Sequence, residues 1–335
     1  MPFLLPVKIG VVGCGAVGSF YGAKLARAGQ EVHFLLRSDF DTVRRKGVFV
    51  RSPQGDFRVQ PRCARDPKEI GPCELVLIGL KTTANESFAR LLPPLVGQGT
   101  ALLTLQNGLG NEEQLARVFS AEQILGCLCF VCLNRLEPGV IHHMDHGQVV
   151  IGEFQGWPEP RTHDIATLFK NAGVPCSVTD NLGRAHWEKL TWNIPFNGLG
   201  VAGAAGLAPL LGPDSSAGIP SPLGPCLTTD KLLGDPAWAT LVRELIFEVI
   251  HAGRGLGFNL SETLADKQIE RTLTMGAYKA STLIDFDRGQ ALELESLFLE
   301  PLRQAREVGV PMPRLEALCR VLQKLDPASG QKAVQ

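Results

Sequence analysis

Apolar residues follow two different spacings along this chain, and the change of spacing divides it into two parts. Near the N-terminus, residues 7–12 form a short β-prone run, residues 16–28 are rich in alanine, and residues 31–36 form a second β-prone run. A strand, a helix and a strand in that order predict a βαβ unit. Its two strands run parallel because the helix crosses between them.

Further β-prone runs continue this order through the first half of the chain. They cover residues 74–80, 101–105 and 124–133, with helix-prone stretches between them. A doubly wound parallel sheet accounts for such an alternation. Pro138-Gly139 and His146-Gly147 then interrupt shorter runs, which predicts antiparallel strands that close this part.

Helical spacing dominates after about residue 180. Residues 237–255, 261–279 and 291–308 each repeat apolar residues every three or four positions. This spacing predicts a second part that is mainly α-helical. The predicted fold class is therefore α/β, an N-terminal doubly wound sheet followed by a C-terminal mainly α-helical domain.

Local composition sets the predicted domain bounds. The sheet domain is predicted to cover residues 1–178 and the helical domain residues 179–327. Residues 207–236 are rich in Pro, Gly and Ser, which is typical of an exposed insertion. Residues 328–335 are predicted to form a tail.

Overall composition narrows the classes of partner and compartment. The 335 residues carry a formal net charge of -1 without a long Lys or Arg run, so nucleic acid is not an expected partner. No apolar run has the length of a membrane span, and the N-terminal stretch lacks the basic start and cleavage site of a signal peptide. Nine cysteines, an odd number, favour reduced thiols and a cytoplasmic protein.

Two clusters have the composition of metal sites, but neither is expected to bind a metal. The first comprises Cys127, Cys129 and Cys132. It lies in an apolar, strand-like run without a second cysteine pair at matching spacing, which favours buried core. The second comprises His142, His143, Asp145 and His146. It predicts a surface hairpin, because neighbouring residues of a strand face opposite sides.

A glycine-rich motif joins the first strand to the first helix. It reads Gly13, Cys14, Gly15, Ala16, Val17 and Gly18. This is G-x-G-x-x-G in the strand-to-helix context that a Rossmann dinucleotide-binding domain requires, and the six residues are predicted to bind the cofactor. Gly13 permits a tight turn, Gly15 lets the main chain approach a pyrophosphate, and Gly18 allows close packing. A glycine turn without a ligand is the alternative.

Polar residues follow three of the predicted strands. Arg37 ends the second strand, where an NAD enzyme usually carries an acidic residue, and its planar fork favours the 2'-phosphate of NADP(H). Lys81 and Asn107 follow two later strands, at the sheet edge where ligands bind. The alternatives are a solvated arginine and ordinary loop residues.

The segment His186–Asn197 combines polar and aromatic residues in an unusual way. Lys189, Asn193 and Asn197 recur at steps of four and share one face of a helix. Asparagine is a poor helix former and Pro195 lies between the two, so local propensity is contradicted here. Such contradictions cluster at functional sites. The alternative is a solvent-facing polar stripe.

With these residues in view, the chain resembles the ketopantoate reductases, also called 2-dehydropantoate 2-reductases, over nearly its whole length. The features in family order are the glycine motif, Arg37, Lys81, the Asn107–Gly110 turn, Trp187-x-Lys189-Leu-x-x-Asn193-x-x-x-Asn197, Ser281 and Glu293. The resemblance implies NADPH-dependent reduction of ketopantoate to (R)-pantoate, in pantothenate and coenzyme A biosynthesis.

The resemblance also implies residue roles. Lys189 would be the general acid, which suits the chemistry because hydride addition puts negative charge on the ketone oxygen and an ammonium group can protonate it. Glu293 and the main chain near Cys132 would contact the cofactor. The residues implied to bind the keto acid are Asn107, Lys189, Asn193, Asn197 and Ser281.

Two departures from the family pattern leave alternatives open. No asparagine follows Asn197 in residues 198–208, where the family has a further substrate contact, and Glu300-Pro301 replaces an Asn-Gly pair. Another NADP-dependent 2-keto acid or β-hydroxy acid dehydrogenase of this architecture is one alternative. A non-catalytic NADPH-binding regulator is the second. Apolar helices in the second part are also compatible with a homodimer.

Overall fold

The computed structural model describes residues 6–211 and 218–329. Two compact units divide the chain, Met1–Leu182 and Gly183–Gln335. The boundary thus follows Leu182, whereas the predicted one follows residue 178. Part of the predicted insertion, residues 212–217, and most of the predicted tail, residues 330–335, lie outside the described residues.

The first unit is built on one ten-stranded sheet. Its strands are β1 (Lys8–Val12), β2 (Glu31–Leu35), β3 (Val48–Arg51), β4 (Phe57–Val59), β5 (Arg62–Ala64), β6 (Cys73–Ile78), β7 (Val96–Thr104), β8 (Ile124–Glu137), β9 (Val140–Glu153) and β10 (Cys176–Val178). The β-prone runs predicted near β1, β2, β6, β7 and β8 are confirmed. The short strands β3, β4, β5 and β10 were not predicted.

The strand order is β4-β3-β9-β8-β7-β6-β1-β2-β5, with β10 beside β9. The six strands from β5 to β8 in this order run parallel to one another, which confirms the doubly wound sheet. The long strands β8 and β9 then pair antiparallel around the predicted Pro138-Gly139 turn. The sheet is therefore mixed.

Helices and alternating core residues cover both faces of this sheet. The α-helices of the first unit are α1 (Ala16–Arg27), α2 (Phe40–Lys46), α3 (Pro67–Ile70), α4 (Phe88–Leu91), α5 (Asn111–Ala116) and α6 (Pro160–Asn171). On β6, Leu75 and Leu77 belong to one apolar cluster, and Val76 and Ile78 belong to another. Successive side chains of a strand face opposite sides, so each cluster covers one face.

The second unit is helical, as predicted. Its helices are α7 (Leu182–Ala202), which begins at the unit boundary, α8 (Thr229–Gly234), α9 (Pro236–Gly255), α10 (Thr263–Leu273), α11 (Ser281–Asp287), α12 (Glu300–Glu307) and α13 (Pro313–Leu325). A π-helical turn, Glu295–Leu299, precedes α12. Within the predicted insertion, residues 220–225 are exposed, but Leu232 of α8 is buried. The described part of the predicted insertion is therefore exposed in one stretch and packed at Leu232.

The surface hairpin predicted at His142–His146 is wrong. These residues belong to the continuous strand β9, and His146 and Gly147 form a bulge with φ values of +61° and +124°. His143 is fully buried, accepts a hydrogen bond at Nδ1 from Ser52 Oγ (2.9 Å), and faces the His146 carbonyl with Nε2 (2.9 Å). A turn signal in the sequence marked a bulge, because both conformations require left-handed residues.

The cysteine cluster is buried core, as predicted. Cys127, Cys129 and Cys132 lie on β8 and are each less than 9% exposed. Within residues 6–211 and 218–329, no group of three or more His, Cys, Asp or Glu side chains could hold a metal ion. Across those same two ranges, no helix is both long and apolar enough to cross a membrane.

Candidate active site

The glycine motif forms a tight turn between β1 and α1. Gly13 has φ +94°, and a Cβ on it would lie 2.2 Å from the backbone nitrogen of Leu80. A Cβ on Gly18 would lie 2.3 Å from the Gly13 carbonyl oxygen, whereas one on Gly15 would meet no atom within 4 Å. Gly13 and Gly18 are thus required by packing inside the protein. Gly15 instead leaves open space before the first turn of α1, which contains no acidic residue.

Cys14, inside the motif, lies against two backbone carbonyls. Its Sγ lies 3.5 Å from the carbonyl oxygens of both Val11 and Leu35, and its single S–H can donate to either of them. Burial is the main reason that the pKa of this thiol lies well above its ordinary value. The side chain therefore helps to fix the turn and the end of β2, while Ala16 and Val17 begin α1.

Arg37 is exposed just beyond β2 and forms no ion pair with any residue in the described ranges. Asp39, two residues later, is buried, and Arg135 of β8 holds both of its oxygens, with Nε at 3.0 Å and Nη2 at 2.5 Å. The nearby carboxylate is therefore already neutralised by a bidentate partner. This leaves Arg37 as a cationic group suited to a phosphate.

Lys81 and Asn107 follow β6 and β7, two adjacent parallel strands. Lys81 is exposed and Asn107 is half-buried. Because both follow the carboxyl ends of neighbouring strands, they lie on the edge of the sheet that also carries the glycine turn. Cys132 is buried on β8, where it pairs with Asp145 of β9 beside a register shift.

In the second unit, Lys189, Asn193 and Asn197 lie at steps of four on α7. Lys189 is half-buried, whereas Asn193 and Asn197 are buried. Pro195 lies inside the helix, where it cannot donate to the carbonyl of Thr191. The solvent-facing stripe is therefore wrong for the two asparagines, which bring amide groups into the interior of this unit.

Asn197 and Ser281 are brought together, as the sequence could not indicate. The Asn197 Oδ1 accepts from the backbone N–H of Thr282 (3.0 Å) and from the hydroxyl of Ser281 (3.2 Å). The Thr282 N–H is a donor only, so it fixes which end of the Asn197 amide faces α11. The Nδ2 group of Asn197 consequently points away from α11.

An aromatic residue that sequence reasoning gave no role supports the same helix. Trp192 stacks on Phe196, with 5.2 Å between ring centroids, and its indole N–H donates to Thr272 of α10 at 2.9 Å. Trp192 therefore ties α7 to α10 next to Asn193. Its aromatic type and helical spacing from Lys189 were visible in the sequence, but its partner was not. Glu293 is buried just before the π-helical turn.

Comparison with known proteins identifies the family. The family model described as "Ketopantoate reductase PanE/ApbA" matches residues 9–156, and the model described as "Ketopantoate reductase PanE/ApbA C terminal" matches residues 222–326. The chain belongs to the ketopantoate reductase family. The resemblance inferred from the motifs is thereby confirmed.

Individual relatives agree with this family along nearly the whole chain. The ketopantoate reductase relative from Nostoc sp., named 2-dehydropantoate 2-reductase, is 37% identical over 325 residues, with 95% of each protein covered. A crystal structure of 2-dehydropantoate 2-reductase from Geobacter metallireducens GS-15 has a TM-score of 0.86 and 42% identity, and covers 95% of this chain and 99% of that chain. These matches confirm the fold class.

A more distant structure shows the fold alone. A D-mandelate dehydrogenase solved with NADH and anilino(oxo)acetate has a TM-score of 0.83 but only 17% identity, and covers 96% of this chain and 99% of that chain. The architecture of the ketopantoate reductase family is thus shared with a protein of another name. The fold alone therefore does not determine the substrate.

Proposed function

We propose that this protein is a 2-dehydropantoate 2-reductase, which reduces ketopantoate to (R)-pantoate with NADPH in the pathway to pantothenate and coenzyme A. The observation that carries the proposal is the 37% identity, over 95% of both chains, with a relative of that name. The buried asparagines of α7, joined to Ser281 through Asn197, support it further, since they supply polar groups for a small keto acid.

The residues of the first unit fit the proposed cofactor. Open space at Gly15 admits a pyrophosphate to the main chain at the start of α1, and the exposed Arg37 suits a 2'-phosphate. When bound, NADPH supplies the hydride. The proposed cofactor contacts comprise the glycine turn with Gly13, Cys14, Gly15, Ala16, Val17 and Gly18, then Arg37, Lys81, Asn107, Cys132 through its main chain, and Glu293.

Lys189 is the proposed general acid. The ketone oxygen gains negative charge as its carbon is reduced, and the ammonium group of Lys189 donates a proton to that oxygen. Asn193 and Asn197 offer amide N–H groups without adding a charge, so they orient the keto acid and leave the proton donor unchanged. Ser281 and Asn107 complete the proposed substrate contacts.

Steady-state assays of the purified protein test this proposal. Parent protein should oxidise NADPH with ketopantoate and much more slowly with pyruvate. Lys189→Met should bind NADPH as the parent does and lose turnover by about 100-fold or more, since general acid catalysis contributes about 10²–10⁴-fold. A parent protein that prefers another keto acid would redirect the proposal to a related dehydrogenase. Equal turnover by parent and Lys189→Met would remove the lysine from the mechanism.

Two further proposals concern the cell compartment and the oligomeric state of the protein. We propose a cytoplasmic protein, because none of the nine cysteines, all of which lie in the described ranges, is part of a disulfide, and reduced thiols are typical of a reducing compartment. Cell fractionation with an antibody against the chain tests this. We also propose a homodimer through the second unit, where Leu273 and Val308 are exposed. Light scattering of the purified protein gives its mass directly.

A further inference from the structure

Four buried polar side chains form a hydrogen-bonded network next to the carboxyl ends of β6 and β7. Its members are Thr104, Gln106, Asn85 and Asn111, each 6% exposed or less. Thr104 Oγ1 donates to Gln106 Oε1 at 2.9 Å, and Gln106 Nε2 donates to Asn85 Oδ1 at 2.7 Å. Asn85 Nδ2 then donates to Asn111 Oδ1 at 3.0 Å. These residues come from two separate segments of the chain, which the bonds join.

The network donates to two backbone carbonyls, and both belong to or lie next to proposed ligand-binding residues. Gln106 Nε2 also donates to the carbonyl of Leu80, at 3.0 Å, and Leu80 immediately precedes Lys81. Asn111 Nδ2 donates to the carbonyl of Asn107 itself, at 3.2 Å. One hydrogen-bonded network is therefore joined to the backbone both next to Lys81 and at Asn107.

The two backbone carbonyls determine which group donates in every hydrogen bond of the network. A backbone carbonyl only accepts, so Gln106 and Asn111 must turn their amide nitrogens toward Leu80 and Asn107. The oxygen of Asn111 then faces Asn85, which must donate to it, and the oxygen of Asn85 faces Gln106. A single rotation of one amide would set acceptor against acceptor. The arrangement is consequently unique, and a buried network of this kind is rigid when all its members are satisfied.

The same backbone also borders the glycine turn. Gly79 N–H donates to the carbonyl of Val12 at 2.8 Å, and a Cβ on Gly13 would collide with the nitrogen of Leu80. Movement of Leu80 would therefore disturb the turn as well as Lys81. The network holds three adjacent parts of the proposed cofactor site in one arrangement.

We propose that Gln106, Asn85 and Asn111 are positioning residues for ligand binding: they act through the backbone of Lys81 and Asn107 and touch no ligand themselves. This rests on the proposed function of Lys81 and Asn107. None of the three was singled out by its sequence pattern. Their side chains serve neither the apolar core nor the sheet ladder, and they join the loops that follow two parallel strands.

Substitutions at Asn111 and Gln106 test the proposal, with Gln123→Ala as the matched control. Gln123 also donates two hydrogen bonds to carbonyls, those of Gly97 (2.9 Å) and Thr100 (3.1 Å), but at the opposite end of β7. Asn111→Ala and Gln106→Met should each lower kcat/KM for ketopantoate about tenfold, because each removes the hydrogen bond that holds a loop carbonyl, that of Asn107 or of Leu80. Gln123→Ala should leave it within about twofold of the parent, at a comparable fall in thermal midpoint.

A double-mutant cycle separates positioning from general destabilisation. Asn111 bonds directly to the backbone of Asn107 and reaches Lys81 only through two further side chains, so most of its effect should pass through Asn107. Asn111→Ala should therefore change kcat/KM less than about twofold when Asn107→Ala is already present. A tenfold loss in both backgrounds would overturn the proposal, as would a Gln106→Met protein that matches the parent. Should Asn111→Ala not fold, Gln106→Met against Gln123→Ala decides alone. Titration of the parent with NADPH is done first: a parent that binds none refutes the proposed function and this role together.

Discussion

Replacing Gly15 with alanine should separate folding from cofactor binding. Gly15 is extended, with φ -74° and ψ -154°, and an added Cβ meets no atom within 4 Å. Alanine is a poorer helix N-cap than glycine by roughly 1 kcal/mol, but it restricts the unfolded chain by roughly 0.4–1 kcal/mol in compensation. The free energy of unfolding should therefore change by less than about 1 kcal/mol.

Binding should suffer much more than folding does. The methyl group occupies the space through which a pyrophosphate reaches the main chain, and the loss of one charge-assisted hydrogen bond costs about 1.5–3 kcal/mol. The Kd for NADPH should rise about 10- to 150-fold.

Fluorescence titration with NADPH and a thermal melt measure the two effects on the same samples. Gly99→Ala is the control, because Gly99 also has no atom within 4 Å of an added Cβ and lies at the other end of β7. It should leave both the Kd and the melting temperature near those of the parent. Unchanged NADPH affinity in Gly15→Ala would refute the assignment of this open space to the cofactor.

Three further predictions concern packing, pH and cofactor choice. Gly18→Ala should destabilise the fold by about 3 kcal/mol in urea unfolding, because its Cβ would lie 2.3 Å from a backbone oxygen that cannot move aside; full stability would contradict the packing argument. Burial lowers the pKa of His143, so below about pH 6.5 the unfolded chain binds a proton at this residue more readily than the folded chain does. As the pH is lowered from there, the free energy of unfolding should decrease until the pKa of the folded state is passed. His143→Gln should flatten that fall and His142→Gln should not, in urea titrations from pH 5 to 8. Arg37→Ala should weaken NADPH by about 10-fold or more and leave the Kd for NADH unchanged; equal losses for both cofactors would argue against a 2'-phosphate contact.

Local signals were sufficient for the first βαβ unit and for α9. Each has a regular spacing of apolar residues, a clear terminus and enough length for the local sequence to favour one type of secondary structure. The strands β3, β4, β5 and β10 escaped because each has only three or four residues. Three of them, β3, β5 and β10, also depend on a partner strand that is distant in sequence. β5, for example, exists as a strand only because it pairs with β2.

The His146-Gly147 error has a related cause. Left-handed residues between two β-prone runs signal a reversal of the chain or a bulge in one strand, and local sequence is the same in both cases. The long partner strand β8 decides the matter, since it pairs with β9 on both sides of the bulge. Burial of His143 beneath that bulge follows from pairing, which no window of sequence contains.

The candidate site was predictable by residue type and much less by contact. Lys189, Asn193 and Asn197 could be assigned to one helix face from their spacing. The bonds from Asn197 to α11 join residues 84 and 85 positions apart, and those of Gln106 join it to a loop more than 20 residues away. Such contacts depend on the path of the chain, so sequence reasoning could name the groups without knowing what holds them.

Several residues of the candidate site are also needed for folding. An activity loss on mutating them therefore has two possible causes, lost stability and lost ligand binding. An added Cβ on Gly13 or Gly18 would lie less than 3 Å from backbone atoms, and Asn197 accepts a hydrogen bond from a buried N–H at the start of α11. Alanine at any of the three would cost stability even if no ligand bound there. Arg37 is exposed and an added Cβ on Gly15 meets no atom within 4 Å, so variants at these two residues should keep the parent's melting temperature. A loss of activity in those two variants therefore reports on ligand binding, whereas at Gly13, Gly18 and Asn197 a loss of activity is expected from folding alone.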